Sequence, residues 1–505
     1  MKSILGKVDK TIFGSSVVVY SLIFLFILCF PKVAEGVVNS VLNFTLSTVG
    51  WVYILAYAFI IISFLIIGLS KYGKIKLGQK DAQPEYSFFS WMGMLFGAGL
   101  GVGLVFYGVT EPVSHFMAAP FAQSGTAEAA ADAMRTTFFH WSFLPWSSYG
   151  IVGLCLGYFI HCKGLPGLIS STFQPMLGTR IKGIPGKVID SFSLIALICG
   201  ISMSVGFAAT QLTSGLSLQY GVPNSFLAVT SIIIIIGALG TASAMRGIAK
   251  GVKIISDVNM YIVIFFVAFT LIFGSTVYLI NTFFQSLGNT VFNLPWMLFF
   301  TDSFEVVSSH TGFDWVESWT VFYWAWWVAF APFVGGFLAR ISKGRTIKEF
   351  VLACVFVPGL LCCLWFTLFG GEAIHMTLFE GSDVCAVVAS DINNSLFVFL
   401  RELPLSGFTV PLSIILIITL IVTSVNSSTY VAGTLSSGGN AEPSLGLRGF
   451  WGVFIALNAI LFFSIGGLDT LKNTAIVFAF PFIIIIVFMV INLFKELKTC
   501  DLEEK

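Results

Sequence analysis

Long apolar runs alternate with short polar connections along the chain. Each run is about 20 residues long, the length a helix needs to cross a hydrocarbon layer of about 30 Å. Twelve runs are predicted as helices, over 12–30, 50–70, 89–110, 135–161, 188–216, 224–244, 254–281, 318–340, 349–369, 407–436, 449–466 and 470–495. The pattern is that of an all-α polytopic membrane protein.

Two of the runs carry internal interruptions. In the third, glycines stand at alternate positions, Gly97, Gly99, Gly101 and Gly103, and each costs a helix about 1 kcal/mol relative to alanine. Either the helix opens there, which membranes tolerate only around a cavity or inside protein, or the glycines let a neighbouring helix approach closely. In the tenth, Thr423, Ser424, Asn426, Ser427, Ser428 and Thr429 crowd hydroxyl and amide groups into seven positions. Such a cluster reads either as hard oxygen donors for a small cation or as polar glue between helices.

The eighth run holds the aromatic row Phe322, Tyr323, Trp324, Trp326 and Trp327 and stops at a basic cluster, Arg340 to Arg345. Successive helical positions fall about 100° apart, so Trp324 and Tyr323 share a face with Trp327. Ring faces attract cations, quaternary ammonium groups above all, by roughly 0.5 to 2 kcal/mol per contact. The alternatives are an interfacial belt or plain packing. In the fourth run Trp141, Trp146 and Tyr149 fall within one sector of the helical wheel, at about 0°, 140° and 80°, with Pro145 free to kink the helix between them. They provide a second aromatic wall. His140 reads as a packed, hydrogen-bonded histidine before a proton relay, and Glu111 and His115 lie just past the predicted end of the third helix, a capping or gate position.

Composition sharpens the class. The chain of 505 residues is 57% hydrophobic and 10% charged, with mean hydropathy +0.93, which excludes a soluble protein with an ordinary polar surface. The net charge of +1, with bases spread over many loops, gives no nucleic-acid patch; the expected surroundings are membrane lipid. With the N-terminus assigned to the cytoplasm, 22 of the 26 Lys and Arg residues fall on the inner side, which predicts both termini cytoplasmic in a plasma (inner) membrane. The first helix lacks a small-residue cleavage site and reads as uncleaved. The segment 281–317 carries Asp302, Glu305, Asp314 and Glu317 without a base, as a cation-collecting outer rim or simply as acids where bases are disfavoured. Nine cysteines, mostly in apolar runs and without a CxxC pair, read as small buried hydrophobes. No HExxH, GxSxG, P-loop or Rossmann pattern occurs in a suitable context, so no enzyme is expected and any uphill movement draws on an ion gradient.

The segments WTVFYWAWW and APFVGGFLARISKGRTIKEF, the glycine-rich AGLGVGLVFYGVTEP and the hydroxyl-bearing TSVNSSTYV together resemble the betaine/choline/carnitine transporter family, over about Gly50 to Phe494. The resemblance implies a leucine-transporter-like core of two inverted five-helix repeats. The chain then divides into two peripheral helices in 1–86, the first repeat in 87–281, an extracellular linker with an amphipathic helix in 282–317, the second repeat in 318–495 and a short tail in 496–505.

It also implies an aromatic box of Trp141, Trp146, Tyr149, Trp326 and Trp327, with the opened backbone at Ala98 and Gly99 receiving a substrate carboxylate. A sodium site would draw on Gly97, Leu100, Leu420, Thr423 and Ser424, and Phe106, Tyr107 and Phe330 would act as gates. No acid stands at Gly99, Gly101 or Gly103 to balance choline, which favours a zwitterion such as glycine betaine. No Arg lies in 254–281 to replace the ion, which favours sodium symport. Proton-coupled choline uptake, sodium-independent carnitine or betaine exchange and sulfonium transport are the alternatives within the class; a channel or a membrane enzyme lies outside it.

The sequence departs from the family at several points. A second sodium site would fall on Leu197, Ile201 and Phe333, with Ser202 or Ser204 as substitutes. Phe330 stands where many members have Trp, and Asn426 replaces a common Asp. The short tail lacks the long basic extension of osmosensing members, so osmotic self-activation is not expected. Sodium is the one small ion expected, with no further cofactor, and a homotrimer is the implied assembly.

Overall fold

The computed structural model describes residues 5–99, 101–245 and 251–503. Among these, the chain is almost wholly helical, and the sole bridge outside helices pairs Lys76 with Thr346. The principal helices are α1 (Lys10–Cys29), α2 (Pro31–Leu69), α3 (Phe88–Gly99), α4 (Val102–Met117), α5 (Ala127–Trp141), α6 (Phe143–His161), α7 (Ile184–Tyr220), α8 (Phe226–Met245), α9 (Gly251–Phe273), α10 (Thr276–Met297), α11 (Phe322–Ile341), α12 (Ile347–Phe366), α13 (Glu372–Phe379), α14 (Ser406–Ser436) and α15 (Leu445–Glu503). The protein is an all-α polytopic membrane protein.

Among the described residues, ten helical stretches are long and apolar enough to span a membrane, against the twelve predicted. The difference lies at two breaks. The third run divides into α3 and α4, each too short to span alone, around Gly101 in an extended conformation (φ −115°, ψ 169°). The last two runs form one element, α15, interrupted at Gly466 and Gly467; Gly467 has φ +65°, a backbone angle that any side chain would strain. The fourth run is also divided, because Ser142 leaves helical geometry (φ −91°, ψ −119°) between α5 and α6. Trp141 therefore does not share one helical wheel with Trp146 and Tyr149.

Other boundaries moved for a simpler reason. Helix α2 begins at Pro31 rather than near 50 and runs for 39 residues, since hydropathy marks where lipid lies and not where a helix ends. In its polar first half the Ser40, Thr45 and Ser47 hydroxyls donate to carbonyls four residues back. Helix α4 continues to Met117, so Glu111 and His115 are interior positions of a helix rather than caps. The helix expected in 282–317 starts earlier, at Thr276, and its exposed face is apolar at Phe284, Val291 and Phe292. Of the four acids that follow, Asp302 caps a short helix, accepting from the Val307 and Ser308 N–H groups at 3.1 and 2.8 Å.

Local sequence explains several helix ends. The Asp9 carboxylate accepts the Thr11 and Ile12 N–H groups at the start of α1, and Thr346 with Glu349 forms a reciprocal capping box at the start of α12. Helix α11 lies at the centre, packed against α6 and α7, with nearly every residue from Phe322 to Ala339 buried.

The basic cluster that ends α11 fixes this central helix to α3. Leu77 N–H donates to Arg345 O at 2.8 Å, Ile347 N–H to Ile75 O at 2.8 Å and Gly344 N–H to Leu77 O at 2.7 Å. The Arg345 guanidinium lies over the Trp91 ring at 4.7 Å and donates to Tyr86 O at 2.6 Å, while Trp91 Nε1–H donates to Ser342 Oγ at 3.0 Å. Arg345→Ala removes a stacked cation and a charge-assisted hydrogen bond together, a loss of about 2 to 3 kcal/mol. Thermal unfolding of the purified protein should show a lower midpoint for Arg345→Ala and a smaller drop for Arg345→Lys, which keeps the charge without the planar fork.

Candidate functional site

Trp327 on α11 is the centre of an aromatic cluster. Its ring centroid lies 5.3 Å from Trp141, 6.1 Å from Trp146 and 5.0 Å from Tyr149, and Trp146 and Tyr149 meet edge to face at 5.7 Å. All of these rings are buried. The break at Ser142 lets Trp141 at the end of α5 and the two rings of α6 approach Trp327 from different directions, which one straight helix would not allow.

A cavity of about 460 Å³, its mouth included, is lined by Trp141, Tyr149, Trp326, Trp327, Phe330 and Ser424, together with Gly101 and Gly103. Trp326 forms the border between this cavity and a second aromatic layer. It stacks on Phe207 at 5.3 Å and lies 5.8 Å from Tyr107 and 5.7 Å from Phe322. Phe106 and Tyr107 both pack on Phe207, and these residues are almost wholly buried. Lys472 Nζ lies over this layer from the far side, 5.4 Å from the Phe322 ring and 5.9 Å from Phe207. Along α11 the half-buried and exposed positions, Phe330, Gly336, Phe337 and Arg340, fall toward the basic end.

The glycines divide between the two readings the sequence left open. A Cβ on Gly103 would lie 2.3 Å from the Trp326 ring, so this position allows close approach, whereas one at Gly97 would meet nothing within 4 Å and at Gly101 only the Gly103 backbone. Gly101 provides the helix opening and Gly103 the room for the tryptophan. Of the proposed carboxylate-binding positions, Ala98 and Gly99 end α3, but their surroundings lie outside the described residues, as does Leu100 altogether. Gly97 is exposed within α3.

The hydroxyl cluster of α14 divides similarly. Asn426 Nδ2 donates to Ser243 Oγ on α8 at 2.6 Å, and Thr419 Oγ1 donates to Asn259 Oδ1 on α9 at 2.5 Å; both tie helices together. Thr423 and Ser424 are half-buried, donate to the same Leu420 carbonyl at 2.8 and 3.0 Å and retain hydroxyl lone pairs as acceptors. Ser424 borders the cavity. Of the substitutes for a second cation site, Ser202 is engaged with Ile455 O and Asn458 Nδ2, whereas Ser204 and Phe333 line the cavity.

Trp324 belongs to the packing instead. It stacks on Tyr57 of α2 at 4.2 Å and meets Phe139 edge on at 5.3 Å, away from Trp327. Sequence pattern alone missed Phe207, Phe333 and Val334 as neighbours of the box, since single apolar residues in apolar runs carry no signal. It also missed that Glu111 touches Trp141. An acid buried in a membrane run is the sign that could have pointed there.

The fold and this cavity define a multi-pass membrane protein with a cavity walled by aromatic rings at its centre. Residues 11–501 match the model of the family described as "BCCT, betaine/carnitine/choline family transporter". The chain is 40% identical over 472 residues to a "Probable glycine betaine transporter" of Desulfitobacterium hafniense, covering 93% of each chain. It is 40% identical over 469 residues to the glycine betaine transporter OpuD of Bacillus subtilis, covering 92% of this chain and 90% of the relative. An ectoine/hydroxyectoine transporter of Virgibacillus pantothenticus is 37% identical over 472 residues, 92% of each chain. The chain belongs to the betaine/carnitine/choline family of transporters, and is a membrane transporter rather than an enzyme.

Proposed function

We propose that this protein imports a quaternary-ammonium zwitterion of the glycine betaine type, by sodium symport and alternating access. The observation that carries the substrate reading is the convergence of Trp141, Trp146 and Tyr149 on Trp327. Ring faces in a buried, low-dielectric cavity replace the hydration of an onium head and offer nothing to an anion. A carboxylate at the other end of the substrate would be received by N–H groups at the opened α3–α4 junction, and the Trp327 indole N–H, buried and without a hydrogen-bond partner, is a further donor. The names of the glycine betaine and ectoine transporters among the relatives support a zwitterionic compatible solute.

For the ion, Thr423, Ser424 and the Leu420 carbonyl supply three clustered oxygens, to which Gly97 and Leu100 would add carbonyls from the opposite side. Sodium binds such neutral oxygen sets. The twelve-helix, two-repeat arrangement, with 87–281 and 318–495 as the repeats, 1–86 as the peripheral part, 282–317 as the linker and 496–505 as the tail, accounts for both broken helices at the cavity. With the basic end of α11 in the cytoplasm of an inner-membrane protein, the cavity faces inward here, and the layer of Phe106, Tyr107, Phe207 and Phe322 is the closed outer gate, with Phe330 on the inner path. A homotrimer would bury apolar residues such as Phe292 of α10.

Uptake of radiolabelled glycine betaine into proteoliposomes should rise many-fold with an inward sodium gradient over an equal potassium gradient. Equal rates would remove the sodium claim, and acceleration by an inward proton gradient alone would favour proton coupling. Choline, carnitine, ectoine and dimethylsulfoniopropionate as competitors rank the substrates. Trp327→Ala should abolish saturable onium binding, measured by intrinsic fluorescence of the folded protein. Retained affinity would mean that the rings only pack. The double variant Thr423→Ala/Ser424→Ala should lose sodium stimulation at unchanged expression, while a ratio of sodium to potassium uptake like that of the parent would move the ion site elsewhere.

A further inference from the structure

Directly behind the box lies a carboxylate that the proposed mechanism does not use. Glu111 on α4 is fully buried. Its Oε2 accepts both the Trp141 indole N–H and the Tyr323 hydroxyl. Its Oε1 faces His140 Nδ1 at 2.8 Å and His115 Nε2 at 3.4 Å, and His140 Nε2 meets Thr320 Oγ1 at 3.0 Å. One side chain thus joins α4, the end of α5 and the start of α11, and the two groups that share its Oε2 belong to opposite sides of the box: Trp141 on one, and on the other Tyr323, three and four residues from Trp326 and Trp327.

We propose that Glu111 is a positioning and specificity residue for onium substrates, holding Trp141 at its angle to Trp327 and making the face of the indole more negative. Trp141 is the last residue of α5, directly before the break at Ser142. Its ring packs against Tyr323, Trp326 and Trp327, and Glu111 holds its one polar atom. A carboxylate suits that task because it is an acceptor on both oxygens, so two donors can share Oε2 while Oε1 stays with the histidines. A charged acceptor also strengthens both bonds relative to a neutral one. The carboxylate draws the N–H proton toward itself and leaves electron density on the indole, which raises the attraction of the ring face for a cation. In the membrane interior the carboxylate is met at Oε1 by His140, which is held in turn by the Thr320 hydroxyl.

The inference rests on the reading of the cavity as the onium site. It makes a different statement from that reading, because an aromatic box can bind a cation with its rings held by packing alone.

Glutamine separates the parts of the proposal. In Glu111→Gln the amide oxygen can still accept from Trp141 and Tyr323 while the NH2 group faces the imidazoles, so geometry survives and charge does not. Glu111→Leu removes both. In proteoliposomes of the full-length protein, KM for glycine betaine should rise about 3- to 10-fold for Glu111→Gln and more than about 10-fold for Glu111→Leu, the change expected from losing a charge-assisted and then every hydrogen bond. The effect should fall on KM rather than Vmax. Tyr323→Phe should raise KM less, and the double variant Glu111→Leu/Tyr323→Phe should be no worse than Glu111→Leu, because both changes break one shared bond.

A parental KM in Glu111→Leu, equal effects of Gln and Leu, or additive effects in the double variant would each overturn the proposal. Should Glu111→Leu not fold, Glu111→Gln and Tyr323→Phe decide it through onium binding followed by fluorescence: parental affinity in both overturns it. Trp327→Ala, run beside them, separates this inference from the reading it rests on. If Trp327→Ala loses binding and the Glu111 variants do not, only the role of Glu111 fails; if Trp327→Ala keeps it, the box itself fails.

Discussion

In a bilayer a broken helical turn leaves backbone N–H and C=O groups with no water to satisfy them, so a membrane protein can afford irregular backbone only where protein or a wet cavity surrounds it. The architecture follows from where this chain accepts that constraint. The α3–α4 break at Gly101 borders the central cavity, and the α5–α6 break at Ser142 directly follows Trp141 of the same cavity wall. Two interruptions that would be costly elsewhere have been brought together around one hollow, and helix α11 runs past both with Trp326 and Trp327 facing them.

The rings use that hollow in two layers. Trp141, Trp146, Tyr149 and Trp327 form the box, and Trp326 belongs to it on one side and to the Phe207–Tyr107–Phe322 layer on the other. A change in the packing of the second layer therefore acts directly on a wall of the first. Gly103 makes this double role possible, since any side chain there would occupy the volume of the Trp326 ring. The buried acid Glu111 belongs to the same construction: a polar side chain that would be costly in an apolar core stands where its Oε2 accepts from Trp141 and Tyr323.

Much of this was legible in the sequence, and the parts that were not share a cause. Trp141, Trp146 and Tyr149 were readable as one aromatic wall and the row from Phe322 to Trp327 as another, the set of five rings coming from the family resemblance, and the helix opening was readable because four alternating glycines contradict helix propensity. The hydroxyl cluster was visible, but not its division: Asn426 and Thr419 are used between helices, while Ser424 borders the cavity. Trp324 was placed on the face of Trp327 by helical spacing, yet its ring stacks on Tyr57 from α2, a partner hundreds of residues away in sequence. The start of α2 at Pro31 and the division of the fourth run at Ser142 were missed because hydropathy records lipid exposure, and hydrogen bonding decides where a helix begins, ends or bends.

The sequence by itself determined the class of protein, the approximate spans, the two aromatic walls and the opening of the third run, because each is a matter of transfer free energy or local propensity within about 20 residues. Only the tertiary structure decided which ring meets which, that Gly103 gives room while Gly101 gives the bend, and that Glu111 joins Trp141 to Tyr323. Those depend on groups from separate helices meeting at distances of a few ångströms, and periodicity along one helix cannot specify which neighbouring helix its face will meet.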